Sequence, residues 1–334
     1  MGKFIDKSAV KNILITRTDR LGDVILTLPL INEARKIFKD AKICFLVKKY
    51  PEELLRDYKD IDELIIEENI SGFFGKFSFF KNKNTDLFIN VKPRFDLALL
   101  FFLLRVKYRI GTAYRWYSFL YNFKVYEHRK DSVRHESDYN LSLLKTFFEE
   151  TGNEKEFYFS YTSEERKKLN EKLNGILDEK YIIVHPGSGG SAMDIPVKIL
   201  AEFINKLSEN YKDIKIVITG THNEKQLVQE MLNSVNSGIR SLVKDFSGML
   251  DLRELMILID HTEIFIANST GPIHIAGALN KNIIGFYPNE KKVSDTRWKP
   301  ISKNTVILKP GDNSDNMNLI TADSIINAVS SFLK

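Results

Sequence analysis

The stretch Ile266-Ala-Asn-Ser-Thr-Gly-Pro-Ile-His-Ile-Ala-Gly-Ala-Leu279 joins an apolar run typical of a buried strand to an apolar run typical of a helix. In the turn between them, Thr270 offers a hydroxyl at the helix N-cap, and Gly271 lets a ligand approach the backbone. Pro272 suits the first helical turn, where the N–H has no intrahelical partner. Amides at a helix start carry the positive end of its dipole. The turn is therefore predicted either to bind a phosphate or to be an ordinary capped helix.

The same order of strand and helix recurs along the chain in two series. Short apolar runs alternate with longer amphipathic stretches such as Val24–Phe38 and Val197–Asn210. This alternation predicts parallel sheets with helices on both faces, and hence an α/β protein. The predicted strands are Asn12–Thr16, Ile43–Val47, Glu63–Ile66, Asp86–Val91, Tyr181–His185, Ile214–Thr219, Ser241–Phe246, Glu263–Ala267, Ile283–Tyr287 and Thr305–Leu308.

A polar segment rich in Glu and Lys separates the two series. The 334 residues are enough for two domains of about 150 residues each. We predict an N-terminal domain over residues 1–155, a linker over 156–180 and a C-terminal domain over 181–320. Residues 321–334 are predicted to form a last helix, for which one placement is against the N-terminal domain.

Composition favours a protein of a reducing compartment. The single cysteine, Cys44, excludes an intramolecular disulfide and a cysteine-based zinc site. The N-terminal residues lack the apolar region and cleavage site of a signal peptide. The longest apolar run, Leu97–Leu104, is far shorter than the roughly 18 residues needed to span a bilayer. We therefore expect a cytoplasmic protein.

The net charge is only +5, but cations cluster between Lys92 and Arg134. This basic aromatic segment has ten Lys or Arg residues against three acids, interleaved with aromatic side chains. It fits a surface for an acidic lipid headgroup, a membrane or nucleic acid, or else a solvated basic face over an aromatic core. Because the chain has no recognisable nucleic-acid module, a nucleic-acid partner is not expected.

Loops that follow strands are the candidate sites, because ligands of open α/β sheets bind beyond the carboxyl ends of the strands. After the first predicted strand comes Arg17-Thr-Asp-Arg-Leu-Gly-Asp-Val24, with Asp23 at a helix start. After the strand that begins at Tyr181 comes His185-Pro-Gly-Ser-Gly-Gly-Ser191, whose backbone can surround an anion. This glycine loop and the turn at Thr270 are predicted to hold one diphosphate, with Asp23 facing them. No loop matches a P-loop, and no GxGxxG follows the first strand.

Together these landmarks resemble glycosyltransferase family 9, the lipopolysaccharide heptosyltransferases and their relatives. Leu21-Gly22-Asp23 matches the family's LGD element, His185–Gly189 its HPGSG-type loop, and Ser269–His274 its D(S/T)G-x-x-H element. The landmarks occur in the family's order over most of the chain, which makes the resemblance specific. It implies a GT-B fold, in which two Rossmann-like parallel-sheet domains face each other across a cleft. The acceptor would bind the N-terminal domain, and the donor would bind the C-terminal one.

The resemblance also implies inversion at the anomeric carbon without a metal or another cofactor. Asp23 would be the general base for the acceptor hydroxyl, with a pKa lowered by the helix dipole. Otherwise Asp23 and Glu224 are helix-start charges and His274 is a packing residue. The candidate donor-binding residues are His185, Gly187, Ser188, Gly189, Glu224, Ser269, Thr270, Gly271 and His274. The candidate acceptor-binding residues are Arg17, Arg20, Arg109 and Arg115.

Two positions depart from the family pattern. Met193 stands where relatives often have a cation for the donor phosphate, and the next residue, Asp194, adds an acid. Ser269 stands where the family usually has an acid. A lost charge-assisted hydrogen bond is worth about 1.5–3 kcal/mol, and Arg297 is a candidate to replace the missing cation. Asp60-Ile-Asp62 is interpreted as a solvated loop and not as a metal-binding DxD motif.

We therefore predict an inverting, metal-independent glycosyltransferase of the cytoplasm. Its expected donor is ADP-heptose, and its expected acceptor is a lipopolysaccharide core or another cell-surface glycan. Peripheral contact with the inner face of the cytoplasmic membrane would use residues 92–134. The alternatives are a family member that uses a different nucleotide sugar, and a catalytically weak member that holds a nucleotide or glycan.

Overall fold

The computed structural model describes residues 4–190 and 192–333. The chain divides into two compact units, Met1–Ser160 and Tyr161–Lys334. Each unit contains a six-stranded sheet in which every pair of neighbouring strands is parallel. The prediction of an α/β protein with two parallel-sheet domains is therefore confirmed.

The first unit has the strand order β3-β2-β1-β4-β5-β6. Its strands are β1 Asn12–Thr16, β2 Lys42–Val47, β3 Glu63–Ile66, β4 Leu87–Asn90, β5 Tyr108–Thr112 and β6 Phe123–Val125. Its helices are α1 Leu21–Ile25, α2 Leu28–Ile37, α3 Glu52–Leu55, α4 Gly72–Lys81, α5 Phe95–Leu103 and α6 Glu136–Lys145. The sequence pattern missed β5 and β6, because Arg109, Gly111 and Lys124 interrupt their apolar residues.

Alternating side chains of the first sheet pack on opposite faces, as the strand period requires. Ile13 and Ile15 of β1 pack with α2 and α6, whereas Leu14 packs with α4 and α5. Five aromatic side chains of the basic aromatic segment are buried in these layers, namely Phe101, Tyr108, Tyr117, Tyr121 and Phe123. The interpretation of this segment as an aromatic core is therefore right for part of it.

The second unit has the strand order β12-β11-β10-β7-β8-β9. Its strands are β7 Tyr181–His185, β8 Lys215–Ile218, β9 Val243–Asp245, β10 Ile264–Asn268, β11 Asn282–Phe286 and β12 Thr305–Leu308. Its helices are α7 Ser163–Lys172, α8 Val197–Asn210, α9 Lys225–Asn233, α10 Leu252–His261, α11 Gly271–Ala278, α12 Asp295–Trp298 and α13 Ala322–Phe332. The residues expected to be linker thus include α7, which Arg253 of α10 holds through an ion pair with Glu165.

The last helix, α13, packs against α8 inside the second unit. Its apolar side chains Ile325 and Val329 are fully buried in the core that α8 and the sheet form. A 2.6 Å ion pair joins Asp323 to Lys206 of α8. From the sequence, one placement of this helix was against the N-terminal domain. In the structure, its apolar side chains pack within the second unit. Within residues 4–190 and 192–333, no helix has the length and apolar character to cross a membrane.

Candidate active site

The two predicted anion-binding segments lie side by side at one edge of the second sheet. β7 and β10 are neighbouring strands, and Ala267 pairs with His185 at their carboxyl ends. Asn268, which is fully buried, donates to the Pro186 carbonyl at 2.6 Å and accepts from the Ile195 amide at 2.9 Å. This amide side chain therefore holds the loop after β7 against the turn after β10. Sequence reasoning missed Asn268, although an asparagine that ends an apolar strand is unusual enough to indicate such a role.

The glycine loop depends on its glycines for two reasons. Gly189 and Gly190 have φ angles of 56° and 73°, in the left-handed region that glycine adopts without steric penalty. Gly187 lies against the carboxylate of Glu224, and an added Cβ would overlap Oε1 of that side chain. The backbone path and the close packing therefore both exclude larger side chains here.

Glu224 supports the glycine loop with its carboxylate. It accepts from the Gly189 amide at 3.1 Å, and from the Thr221 amide and hydroxyl at 2.7 and 2.8 Å. Burial raises the pKa of Glu224, but the hydrogen bonds from Thr221 and from the Gly189 amide outweigh burial and lower it overall. Both oxygens of Glu224 thus bind the protein itself, and contact with a donor ribose stays a prediction.

His185 lies at the end of β7 with its ring buried. Its Nδ1 is 2.9 Å from the Thr219 hydroxyl. Burial lowers the pKa of His185 to about 4, against the opposing effect of Glu224. The ring is therefore neutral near pH 7 and does not offer a positive charge to a phosphate.

A second acid lies on the glycine loop. Asp194 accepts hydrogen bonds from both the hydroxyl and the amide of Ser188. Because Glu224 binds the Gly189 amide, two backbone amides of the loop interact with carboxylates of the protein. A diphosphate that binds at these amides has to share or displace those contacts. The two acids therefore limit the anion-binding capacity that the sequence assigned to the loop.

Thr270 is the N-cap residue of α11, as predicted, but its side chain makes no capping hydrogen bond within the described part of the helix. Pro272 lies in the first helical turn, and His274 one turn further is buried. The positive end of α11 therefore faces the same sheet edge as the glycine loop.

Ser269, which stands where the family usually has an acid, contacts a residue directly after β11. Ser269 forms a hydrogen bond with the buried hydroxyl of Tyr287, and burial raises the pKa of that hydroxyl. Tyr287 in turn donates to the Trp298 carbonyl at 2.9 Å. Arg297 precedes this residue, with its guanidinium carbon 4.7 Å from the Trp298 ring centroid. The candidate replacement cation therefore lies on a segment tied to the anion-binding turn.

In the first unit, the loop after β1 holds Asp23 through a buried arginine. Arg17 contacts three carboxylates: Asp19 at 2.8 Å, Glu136 at 3.1 Å and Oδ1 of Asp23. The Arg17 side chain is only 4% exposed, so its guanidinium is committed to these carboxylates. Arg17 was predicted to bind the acceptor, whereas in the structure its guanidinium contacts Asp23 and two other carboxylates.

Helix α6 completes this buried charge network. Glu136 also pairs with Arg129 at 2.6 Å, and Asn140 accepts from Arg17 at 3.2 Å and from Arg129 at 3.0 Å. Asn140 donates in turn to the Leu26 carbonyl and the Thr27 hydroxyl. Sequence reasoning did not assign Arg129, Glu136 or Asn140 to the site. The available signal was a run of polar residues on the buried side of α6.

The pKa of Asp23 departs from the sequence-based expectation. Burial raises the pKa of Asp23 to about 6; Arg17 opposes the shift, and the charges of Asp19 and Glu136 add to it. The expected lowering by a helix dipole is wrong, because α1 has only five residues and desolvation is the larger effect. The carboxylate is thus mostly ionised at pH 7, yet more basic than an ordinary aspartate.

The other predicted acceptor cations are not all brought together. Arg20 precedes α1 and Arg115 follows β5, and both side chains are exposed at the edge where the strands end. Arg109 lies within β5 and donates to the Leu120 carbonyl at 2.8 Å, with its guanidinium carbon 5.4 Å from the Phe102 ring centroid. Arg109 is therefore committed to packing and is not grouped with Arg20.

The Asp60–Asp62 turn is only in part the solvated loop that the sequence suggested. Asp60 is buried, whereas Asp62 is exposed, accepts from the Ile43 amide at 2.6 Å and pairs with Arg35. Within residues 4–190 and 192–333, no group of three or more His, Cys, Asp or Glu side chains is arranged to hold a metal ion.

Comparisons with known proteins agree with this geometry. A family model described as glycosyltransferase family 9 (heptosyltransferase) matches residues 78–323. A Haemophilus influenzae protein provisionally designated a glycosyltransferase is 30% identical over 352 residues, 97% of each chain. Lipopolysaccharide heptosyltransferase 3 of Escherichia coli is 24% identical, over 87% of this chain and 86% of its own. The solved structure of E. coli ADP-heptose lipopolysaccharide heptosyltransferase II superposes with a TM-score of 0.82 at 17% identity, covering 97% and 98% of the two chains. The GT-B fold is therefore confirmed.

Proposed function

Because the chain belongs to glycosyltransferase family 9, we propose that it is an inverting glycosyltransferase that moves heptose from ADP-heptose to a lipopolysaccharide core or a related cell-surface glycan. The donor class is supported by the E. coli relative whose name contains ADP-heptose. The acceptor class is supported by the relative named lipopolysaccharide heptosyltransferase 3. A different nucleotide sugar is the alternative that the departures at Met193 and Ser269 favour.

In the proposed reaction, Asp23 takes the proton of the acceptor hydroxyl as that oxygen attacks the anomeric carbon. The new glycosidic bond forms on the face opposite the diphosphate, whose oxygen leaves with the electron pair of the breaking bond. The anomeric configuration is thereby inverted. The observation that supports this role most directly is the partly buried carboxylate of Asp23, whose pKa is raised to about 6. Arg17 binds Oδ1, so we assign the proton to Oδ2.

We assign the charge of the leaving diphosphate to the start of α11. The amides of its first turn lie at the positive end of the helix dipole, and Thr270 provides a hydroxyl at the N-cap position. No metal ion or cofactor enters this proposal. Glu224 and Asp194 already bind two amides of the glycine loop, so we give the loop the role of shaping the donor site. Arg297 is the proposed phosphate cation in place of Met193.

The acceptor side of the proposal uses cations near Asp23. Arg20 and Arg115 are exposed at the sheet edge that carries Asp23, and Lys92 lies 3.8 Å from Asp19 in the same region. Phosphate or carboxylate groups of an acidic glycan would pair with such cations. We propose that the enzyme works on the cytoplasmic side of a membrane, in peripheral contact through residues 92–134.

The test is a panel of nucleotide sugars offered together with heptose-deficient lipopolysaccharide, with the acceptor's mass measured after incubation. We expect a mass increase of one heptose residue with ADP-heptose. If the acceptor's mass increases only with another nucleotide sugar, that nucleotide sugar is the donor and ADP-heptose is not.

The second candidate is a binding protein that holds a nucleotide or glycan without transfer. Asp194 favours it, because an acid on Ser188 weakens the site for a diphosphate. Binding of ADP in calorimetry without transfer from any nucleotide sugar of the panel would establish this alternative.

A further inference from the structure

The first unit carries an exposed apolar surface outside the Asp23 region. We define the aromatic strip as Phe95, Phe102, Leu103, Trp116 and Phe119, which lie on α5 and on the segment after β5. Trp116 is 74% exposed and Phe119 64%, and each of the other three side chains is at least 40% exposed. Single exposed apolar residues are common on proteins, whereas a continuous group of this size indicates an interaction surface.

The strip has contacts at both ends of α5. At the start of the helix, the Phe95 and Trp116 rings lie 4.8 Å apart. Near its end, Arg109 connects the Phe102 ring to the Leu120 carbonyl, next to Phe119. The segment after β5 therefore runs beside α5 and contributes aromatic rings at both ends.

The composition of α5 is unusual for a helix at a protein surface. Its sequence, Phe95-Asp-Leu-Ala-Leu-Leu-Phe-Phe-Leu103, is apolar on almost every side. Leu97, Leu100 and Phe101 already fill the core beneath it. A helix that is apolar on all sides is normally buried on all sides. The exposed side of α5 is therefore expected to contact another apolar phase or molecule. With nine residues, α5 is too short to cross a bilayer and suits a position along its surface.

A basic depression adjoins the carboxyl end of α5. Its volume is about 660 Å³, and it is lined by Phe102, Leu103, Arg105, Val106, Lys107 and Arg109. Three of these described lining residues are cations and none is an acid. The side chains of Arg105 and Lys107 are exposed. Aromatic rings beside cations are the pattern of surfaces that lie at the headgroup level of anionic membranes.

We propose that the aromatic strip inserts into the interfacial layer of a membrane that contains anionic phospholipids, with Arg105 and Lys107 binding headgroup phosphates. A second copy of the chain fits this surface less well. A symmetric pair would bury the basic depression of each copy in the interface, and none of its described lining residues is an acid that would neutralise the cations.

The strip also reaches the Asp23 region. Arg94 precedes Phe95 and donates to the Thr18 hydroxyl at 2.9 Å, in the loop that carries Asp23. A lipid-linked acceptor lying in the membrane could thus present its glycan near that loop. Both steps rest on the proposed function, which includes peripheral membrane contact through residues 92–134, and the vesicle experiment tests that contact separately from sugar transfer.

Sedimentation with phosphatidylcholine vesicles, with and without phosphatidylglycerol, tests the proposal on the full chain without any sugar substrate. We expect the protein to pellet with the anionic vesicles and to be released by salt. The double variant Trp116→Ser/Phe119→Ser should bind about tenfold more weakly, because it removes two large interfacial side chains. Arg105→Gln/Lys107→Gln should lose the preference for phosphatidylglycerol.

Two exposed residues outside the strip provide matched controls. Tyr50→Ser and Lys39→Gln should bind vesicles like the wild type, with circular dichroism checking that every variant is folded. Equal vesicle binding by the wild type and the Trp116→Ser/Phe119→Ser variant, or no pelleting of the wild type, would overturn the proposal. A dimer that dissociates in that variant would assign the strip to a subunit interface and also overturn it. Transfer to a water-soluble acceptor, measured in parallel, reports on the proposed function independently of membrane binding.

Discussion

The carboxyl edges of the two sheets differ in electrostatics: the first carries a cluster of carboxylates, and the second carries backbone amides. In the first unit, one buried guanidinium, Arg17, is shared by Asp19, Asp23 and Glu136, so the charge of Asp23 is only partly compensated. In the second unit, backbone amides at the start of α11 provide partial positive charge, while two amides of the glycine loop bind Glu224 and Asp194. The first arrangement raises the basicity of a carboxylate, and the second suits an anionic group that is bound and released. This difference fits the proposed function, in which the first unit transfers the proton and the second unit stabilises the leaving group.

The largest effect on this comparison is expected from removing the shared guanidinium. Arg17→Ala leaves Asp19, Asp23 and Glu136 around a site without its central cation. Loss of one partner from a buried ion network destabilises a protein by about 3–5 kcal/mol. Chemical denaturation of the variant should show a reduction of that size in the free energy of unfolding.

Arg56→Ala is the matched control for this change, because the Arg56–Glu53 pair is half exposed on both sides. Exposed pairs contribute about 0–1 kcal/mol, so this variant should unfold almost as the wild type does. Similar losses in the two arginine variants would mean that the Arg17 network is not a special feature of the first unit.

The candidate site of the second unit is built from closely packed backbone, so an added methyl group in the glycine loop should destabilise it. Gly187→Ala forces a Cβ against the carboxylate of Glu224, which supports the Gly189 amide. We expect a loss of about 1–3 kcal/mol in unfolding free energy, typical of overpacking, together with weaker ADP binding. Gly238→Ala is the control, because an added Cβ there meets no described atom within 4 Å. Normal ADP affinity in the Gly187 variant would separate the glycine loop from the donor site.

A smaller effect of opposite sign is expected at Asp194. The Asp194→Asn variant keeps an oxygen for Ser188 but removes a negative charge next to the proposed diphosphate site. We expect ADP to bind about three- to tenfold more tightly in calorimetry, because a like charge is lost. The exposed Asp213→Asn change in the same unit should leave the affinity unchanged. Weaker ADP binding by the Asp194 variant would show that this acid supports the donor.

The sequence allowed prediction wherever a feature depends on neighbouring residues. The N-cap position of Thr270 and the glycine-dependent loop follow from local backbone chemistry, and both were placed correctly. β5 was missed because Arg109 and Gly111 break its apolar pattern, although burial between β4 and β6 stabilises it as a strand.

Contacts between residues distant in sequence were beyond such prediction. Glu136 lies 119 residues after Arg17, and Glu224 lies 35 residues after Gly189. The direction of the pKa shift of Asp23 depends on the burial that these long-range contacts create, and local sequence suggested the opposite direction. Charge networks therefore had to come from the structure, whereas the backbone features of the candidate anion sites could be recognised from motifs.

The division of labour between the units is tested most directly by Asp23→Asn, with kcat for transfer and the dissociation constant of ADP measured on the same preparation. The asparagine keeps an oxygen for Arg17 but cannot accept the proton. We expect kcat to fall by about 10²–10⁴-fold, the usual contribution of a general base, with ADP binding unchanged. In the wild type, kcat should decrease as the pH falls below about 6, where Asp23 becomes protonated. Transfer at a rate close to that of the wild type, or a parallel loss of ADP binding, would contradict the assignment of base and leaving-group site to separate units.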